Sequence, residues 1–236
     1  MNMHLLSREP IIQMCMIYND YRSRKAPFSL TIYMNGDRII PVIKMKLVYK
    51  GKFDGNIDAL PKKEHEKNAV KFREFDTMKG LALFANILAI VILIVCFAIL
   101  MIRGDGLFSI SFFGAIASMV TLFPHEFLHA VCFKETVYMY TNFKQGLMFV
   151  TGTENMTKTR FVFMSLLPNI VFGFVPFIIF LVFPSLSFFG TLGALAIGMG
   201  AGDYYNVFNC LTQVPKGGKI YMYGMNSYWF MPEDKE

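Results

Sequence analysis

Charge is what this chain most lacks. Only 17% of its 236 residues are charged, against about a quarter in an ordinary globular domain. Together with 54% hydrophobic residues and 25 Phe, that shortage excludes a plain soluble domain and points to a membrane protein. Cysteine is scarce as well: Cys15, Cys96, Cys132 and Cys210 show no CxxC spacing, which argues against a disulfide framework and leaves them as small apolar fillers. Internal repeats and low-complexity tracts are missing, so a transporter built from paired halves is a poor fit. Met1 to Pro10 carries Arg8 and Glu9 and leads into no apolar core, so no secretory signal is expected and the first span should act as its own anchor. The net charge of +6 is spread among acids rather than gathered into a recognition helix. That excludes nucleic acid as a partner and favours attraction to anionic lipid.

Long apolar runs are what is there. Gly80 to Ile102 is 23 residues without a charge, about 34 Å as a helix against a hydrocarbon slab of roughly 30 Å. Leu107 to Phe133 is a second run, broken by His125, Glu126 and His129; Phe161 to Phe183 is an uncharged third; Leu186 to Leu211 is a fourth whose only charge is Asp203. The expected fold is mainly α, a polytopic membrane protein with about four transmembrane helices. Of 23 Lys and Arg, 22 fall on one side of those spans, with Arg103 alone opposite. The positive-inside rule then predicts a multi-pass cell-membrane protein with both termini in the cytoplasm.

Three parts follow from this layout: a cytoplasmic, β-rich module over 1–79, a transmembrane metalloprotease-like domain over 80–214, and a cytoplasmic tail over 215–236. Alternating apolar residues from Phe28 to Lys50 flank Asn35-Gly36, a tight-turn dipeptide that predicts a hairpin. Pro61 to Asp76 reads as a helix or a connector feeding the first span. A short β-hairpin is expected from Thr136 to Thr141 and Leu147 to Thr151. Lys219 to Phe230 reads as a strand or an aromatic interfacial anchor.

The chemistry is concentrated in His125-Glu126-Phe127-Leu128-His129. A helix brings residues four apart onto one face, so His125 and His129 can share one zinc ion while Glu126 works on its bound water. With 4 His and 9 Glu in the chain, chance would supply this pattern roughly 0.0025 times per sequence. Ionisable residues inside a span are costly and need a partner, which Zn²⁺ would provide.

A catalytic zinc needs a third protein ligand. Asp203, the only acid in the third and fourth runs, is the preferred one, although it could instead be neutralised or cap a helix. Glu154, 25 residues past His129, is the rival. Depth sets a puzzle. His129 lies five residues from Lys134 but Asp203 thirteen from Lys216, so the fourth helix must either run past the bilayer or bend at its glycines. Asn169 follows Pro168, where a helix loses a hydrogen bond; its amide could hold a substrate carbonyl or simply satisfy that broken turn. Asn206, one turn past Asp203, could orient the carboxylate or join two helices.

These residues predict a zinc-dependent intramembrane endopeptidase that hydrolyses membrane-associated protein substrates near the cytoplasmic face, with Glu126 as general base. The alternative is a non-enzymatic metal-binding membrane scaffold or small permease. On His125-Glu-Phe-Leu-His129-Ala, the spans and the later Gly202-Asp203, the chain resembles the zincin peptidases found among bacterial membrane proteins of unknown function. That family is itself similar to the site-2 protease class. The likeness covers roughly Phe72 to Val214 and implies the same zinc endopeptidase chemistry. It departs at Gly202-Asp203-Tyr204, where site-2 proteases carry Asn-Pro-x-x-Asp-Gly.

Overall fold

The computed structural model describes Ile12–Met16, Ser29–Met34, 45–143 and 147–233. Its first helix, α1 (Met78–Arg103), runs 26 residues from the Thr77 cap, whose hydroxyl accepts the Gly80 N–H. Leu83, Ile87, Val91 and Ile94 lie along one face of α1, each more than half exposed. A stripe that apolar suits contact with lipid rather than water.

The second run is two helices, α2 (Phe112–Val120) and α3 (Leu122–Val131), bent by 44°. The cause is local: Pro124 has no N–H for the carbonyl four residues back, and the Ser118 and Thr121 hydroxyls donate to the Ala115 and Ser118 carbonyls. The third run is continuous over Lys158–Val182, as α4 (Lys158–Pro168), a π-helical stretch Asn169–Phe174 and α5 (Val175–Val182). The fourth is divided at Gly200 into α6 (Ser187–Met199) and α7 (Ala201–Gln213).

Among the described residues, two helices are therefore long and apolar enough to cross a membrane, or three if the bent pair is one span. At 13 residues each, α6 and α7 are about 20 Å long and too short to cross singly. Of the two ways to reconcile the depths of His129 and Asp203, the structure shows a break among the glycines, at Gly200.

The strands form two sheets among the described residues. In the first, β1 (Ile12–Met16), β2 (Ser29–Met34), β3 (Lys46–Lys52), β5 (Thr136–Asn142) and β6 (Leu147–Thr151) pair in that order. All neighbours are antiparallel except β3 and β5, which run parallel. The hairpin expected after the HExxH helix is present as β5 and β6. The turn expected at Asn35-Gly36 lies outside the described residues, and β2 pairs with β3 in the register Leu30 to Leu47. The second sheet orders β4 (Val70–Lys71), β9 (Asn226–Phe230), β8 (Lys219–Tyr223) and β7 (Met156–Thr157). The segment 61–76 is thus a connector, joined to the C-terminal hairpin through β4.

The larger core joins sheet to helices: Leu47, Val137 and Met139 meet Ala130, Phe161, Met164 and Cys210. A second core packs Cys96 and Leu100 of α1 against Phe177, Phe180, Ala194 and Ile197. Close approach of α6 depends on Gly193, where a Cβ would overlap the Phe177 backbone.

Candidate metal centre

Two helices converge on one point. α3 carries His125 and His129 one turn apart, with Nε2 atoms 3.2 Å from each other. The first turn of α7 brings Asp203 between them: Oδ2 is 3.3 Å from His125 Nε2, and Oδ1 is 3.3 Å from His129 Nε2. Both imidazoles are buried, at 9% and 7% exposure. In a tetrahedral site with bonds of about 2.0–2.1 Å, donor atoms stand about 3.3–3.4 Å apart. The three measured edges match that spacing, so the donor set fits a zinc-sized cation.

Orientation is supplied from α4 and the π-helical stretch. His129 Nδ1 bonds the Met164 carbonyl at 2.8 Å. A carbonyl can only accept, so Nδ1 carries the proton and Nε2 turns its lone pair to the centre. Asn169, wholly buried, donates from Nδ2 to Asp203 Oδ2 at 2.7 Å and to the Ser165 carbonyl at 3.2 Å. Both partners are acceptors here, which fixes the amide's orientation. Tyr204 donates its hydroxyl to Asn169 Oδ1 at 3.4 Å.

Glu126 offers a carboxylate oxygen within 4.8 Å of both imidazoles. It also reaches toward the backbone N–H of Val150 on β6, the edge strand of its sheet. The arrangement brings together a carboxylate, a triangle of nitrogen and oxygen donors and an edge strand.

The other sequence candidates separate clearly. Asn169 takes part by holding Asp203 and satisfies the broken turn as well. Asn206 has no hydrogen bond to Asp203 among the described residues; Asn169 fills that place. Glu154 stands outside the His cluster among the described residues. It is buried, accepts the Lys134 and Glu135 N–H groups at 2.7 and 2.9 Å and pairs with Arg160, which also donates to the Cys132 carbonyl. That network ties the end of α3 to the start of β5. Sequence reasoning missed Met164 and Tyr204. The signal for Met164 was available, because Pro168 lies four residues downstream of it.

Residues 118–218 match the family model described as "Putative zincin peptidase". The matched segment is 101 of the chain's 236 residues. It holds both helices of the centre, together with Met164, Asn169 and Tyr204. The zincin assignment implies zinc, in agreement with the donor spacing. No curated protein and no solved structure matches the chain.

Proposed function

We propose that this protein is a zinc-dependent intramembrane endopeptidase acting on membrane-associated protein substrates near the cytoplasmic face. The observation that carries the proposal is the triangle of His125, His129 and Asp203 at 3.2–3.3 Å, with Glu126 beside it on a helix of the apolar bent pair. Three protein ligands leave a fourth position open, the pattern of a catalytic rather than a structural site.

His125, His129 and Asp203 would hold the ion. When bound, zinc supplies Lewis acidity and makes water nucleophilic near neutral pH. Glu126 accepts the water's proton at its carboxylate and returns a proton to the leaving amine. Asn169 and the Met164 carbonyl keep the ligands aligned throughout. A helical substrate must unwind before its carbonyls can react, since backbone groups in lipid are otherwise paired. β6, an edge strand of its sheet among the described residues, can take the unwound segment by strand addition.

The charge distribution supports four spans in the proposed topology, with α6 and α7 together as the fourth and both termini cytoplasmic. The deciding experiment uses the full chain purified in detergent. Wild type should bind one zinc per chain. His125→Ala should bind none, and Glu126→Gln should keep zinc but lose cleavage of a helical membrane substrate by about 100-fold or more. Undiminished cleavage by Glu126→Gln would overturn the proposal.

A further inference from the structure

A proline at position 168 removes the N–H that a helix would direct at the carbonyl of residue 164. That carbonyl, on Met164, is the one that accepts His129 Nδ1–H at 2.8 Å. The next turn is displaced as well. The Asn169 backbone N–H bonds the Leu166 carbonyl, three residues back instead of four, and the Ser165 carbonyl receives the Asn169 side-chain amide. The chain then widens into the π-helical stretch Asn169–Phe174, with the Val175 N–H bonded five residues back to Ile170. Such wide turns place side chains where a regular helix cannot. The result is that Asn169 Nδ2 faces Asp203 Oδ2 at 2.7 Å.

Two of the three metal-site donors are thus oriented from one break in one helix. In an apolar environment a helix break leaves backbone groups that must find partners. Here the Met164 carbonyl finds a metal-site histidine, and the Ser165 carbonyl finds the amide that holds the metal-site aspartate.

We propose that Pro168 and Asn169 form a single positioning device for the metal centre: Pro168 reserves the Met164 carbonyl for His129, and the displaced turn aims the Asn169 amide at Asp203. This rests on the ligand set assigned under Proposed function. Neither residue touches the reacting atoms; each acts through a ligand. Pro168→Ala returns an N–H that competes with His129 for the Met164 carbonyl. The same change removes a helix-breaking residue, so helix stability and metal affinity should move in opposite directions. A purely structural proline would give no such split.

The experiment compares wild type, Pro168→Ala, Asn169→Ala and the shape-matched Asn169→Asp as full-length protein in detergent. Zinc affinity is read by chelator competition, the visible spectrum is read after Co²⁺ substitution, and thermal unfolding is followed on the metal-free protein. Pro168→Ala should unfold at or above the wild-type temperature while binding zinc about 10–100-fold more weakly with shifted cobalt bands. Asn169→Ala should lose zinc affinity by a similar factor, and Asn169→Asp by more, since it sets an acceptor against Asp203. Wild-type zinc affinity and an unshifted cobalt spectrum in folded Pro168→Ala and Asn169→Asp would overturn the device while leaving the ligand set standing. A wild-type chain that binds no zinc would overturn both.

Discussion

Glu74 sits in the connector between β4 and α1, half-buried, and accepts the Ser227 N–H at the end of the β4–β9 ladder at 2.5 Å. Burial raises its pKa from an ordinary 4.5 to about 7, against the opposing pull of the Ser227 N–H; Lys71 and Asp76 are the nearby charges. A folded-state value above the unfolded one means that the native chain binds the proton more tightly. The stability this confers is fully present below pH 4.5 and is lost as pH rises through about 7. At 1.36 kcal/mol per unit the upper bound is about 3.4 kcal/mol; solvent reaching the partly exposed side chain reduces it to about 1–2 kcal/mol. Glu74→Gln keeps a carbonyl oxygen for the Ser227 N–H but never ionises. Thermal melts of both proteins in detergent from pH 5 to 8 should therefore nearly coincide at pH 5. At pH 8 the variant should melt higher, by about 2–4 °C for each kcal/mol recovered. Superimposable pH dependence of wild type and variant would refute the reasoning, because it would mean that Glu74 titrates alike in the folded and unfolded chains.

Three further outcomes can be measured directly. Gly200→Ala would place a methyl group on Asn169 Oδ1; since the backbone at 200 has φ −73°, strain is not the issue, and zinc affinity measured by chelator competition should fall about 10-fold or more through displacement of that amide. Glu154→Ala leaves the half-buried Arg160 and two backbone N–H groups without their acceptor, so unfolding in denaturant should show a loss of about 1–3 kcal/mol, whereas zinc stoichiometry in protein that remains folded should stay at one. Val150→Pro deletes the N–H that reaches toward Glu126 without removing the β6 carbonyls; if substrates add to this edge, cleavage assays should show KM rising several-fold, and an unchanged KM would exclude strand addition there.

The parts of this molecule that were legible in sequence are those governed by local spacing. The i, i+4 rule alone places His125 and His129 together, and uncharged length alone marks α1 and the Lys158–Val182 helix. Asp203 stands out by elimination, as the one acid in the later apolar runs, and the fold brings it beside both histidines. The hairpin of β5 and β6 was visible as two β-prone stretches around a polar turn. What escaped was set by contacts distant in sequence. Nothing within 46–52 announces that it will run parallel to 136–141, because strand pairing across some ninety residues leaves no local periodicity. The same holds for Glu154, whose partners Lys134, Glu135 and Arg160 lie outside its own turn-rich stretch and turn a candidate ligand into an anchor.

The helix breaks are the instructive case, because each had a visible signal whose consequence lay elsewhere in the fold. Pro124, Pro168 and Gly200 interrupt three apolar runs that length alone would read as straight spans. Each interruption lies within a few residues of a metal-centre side chain: Pro124 precedes His125, Asn169 follows Pro168, and Asp203 is three residues past Gly200. An unbroken helix saturates its own backbone and has no free carbonyl to orient a histidine. A break exposes such groups at a cost that must be met by a partner within reach. Placing breaks around one point therefore supplies both room for polar side chains and the carbonyls that orient them, while the outer faces of α1 and α5 stay apolar. On this view the departures from straight spanning geometry belong to the site itself, and restoring helical regularity at position 168 should be felt first in metal binding.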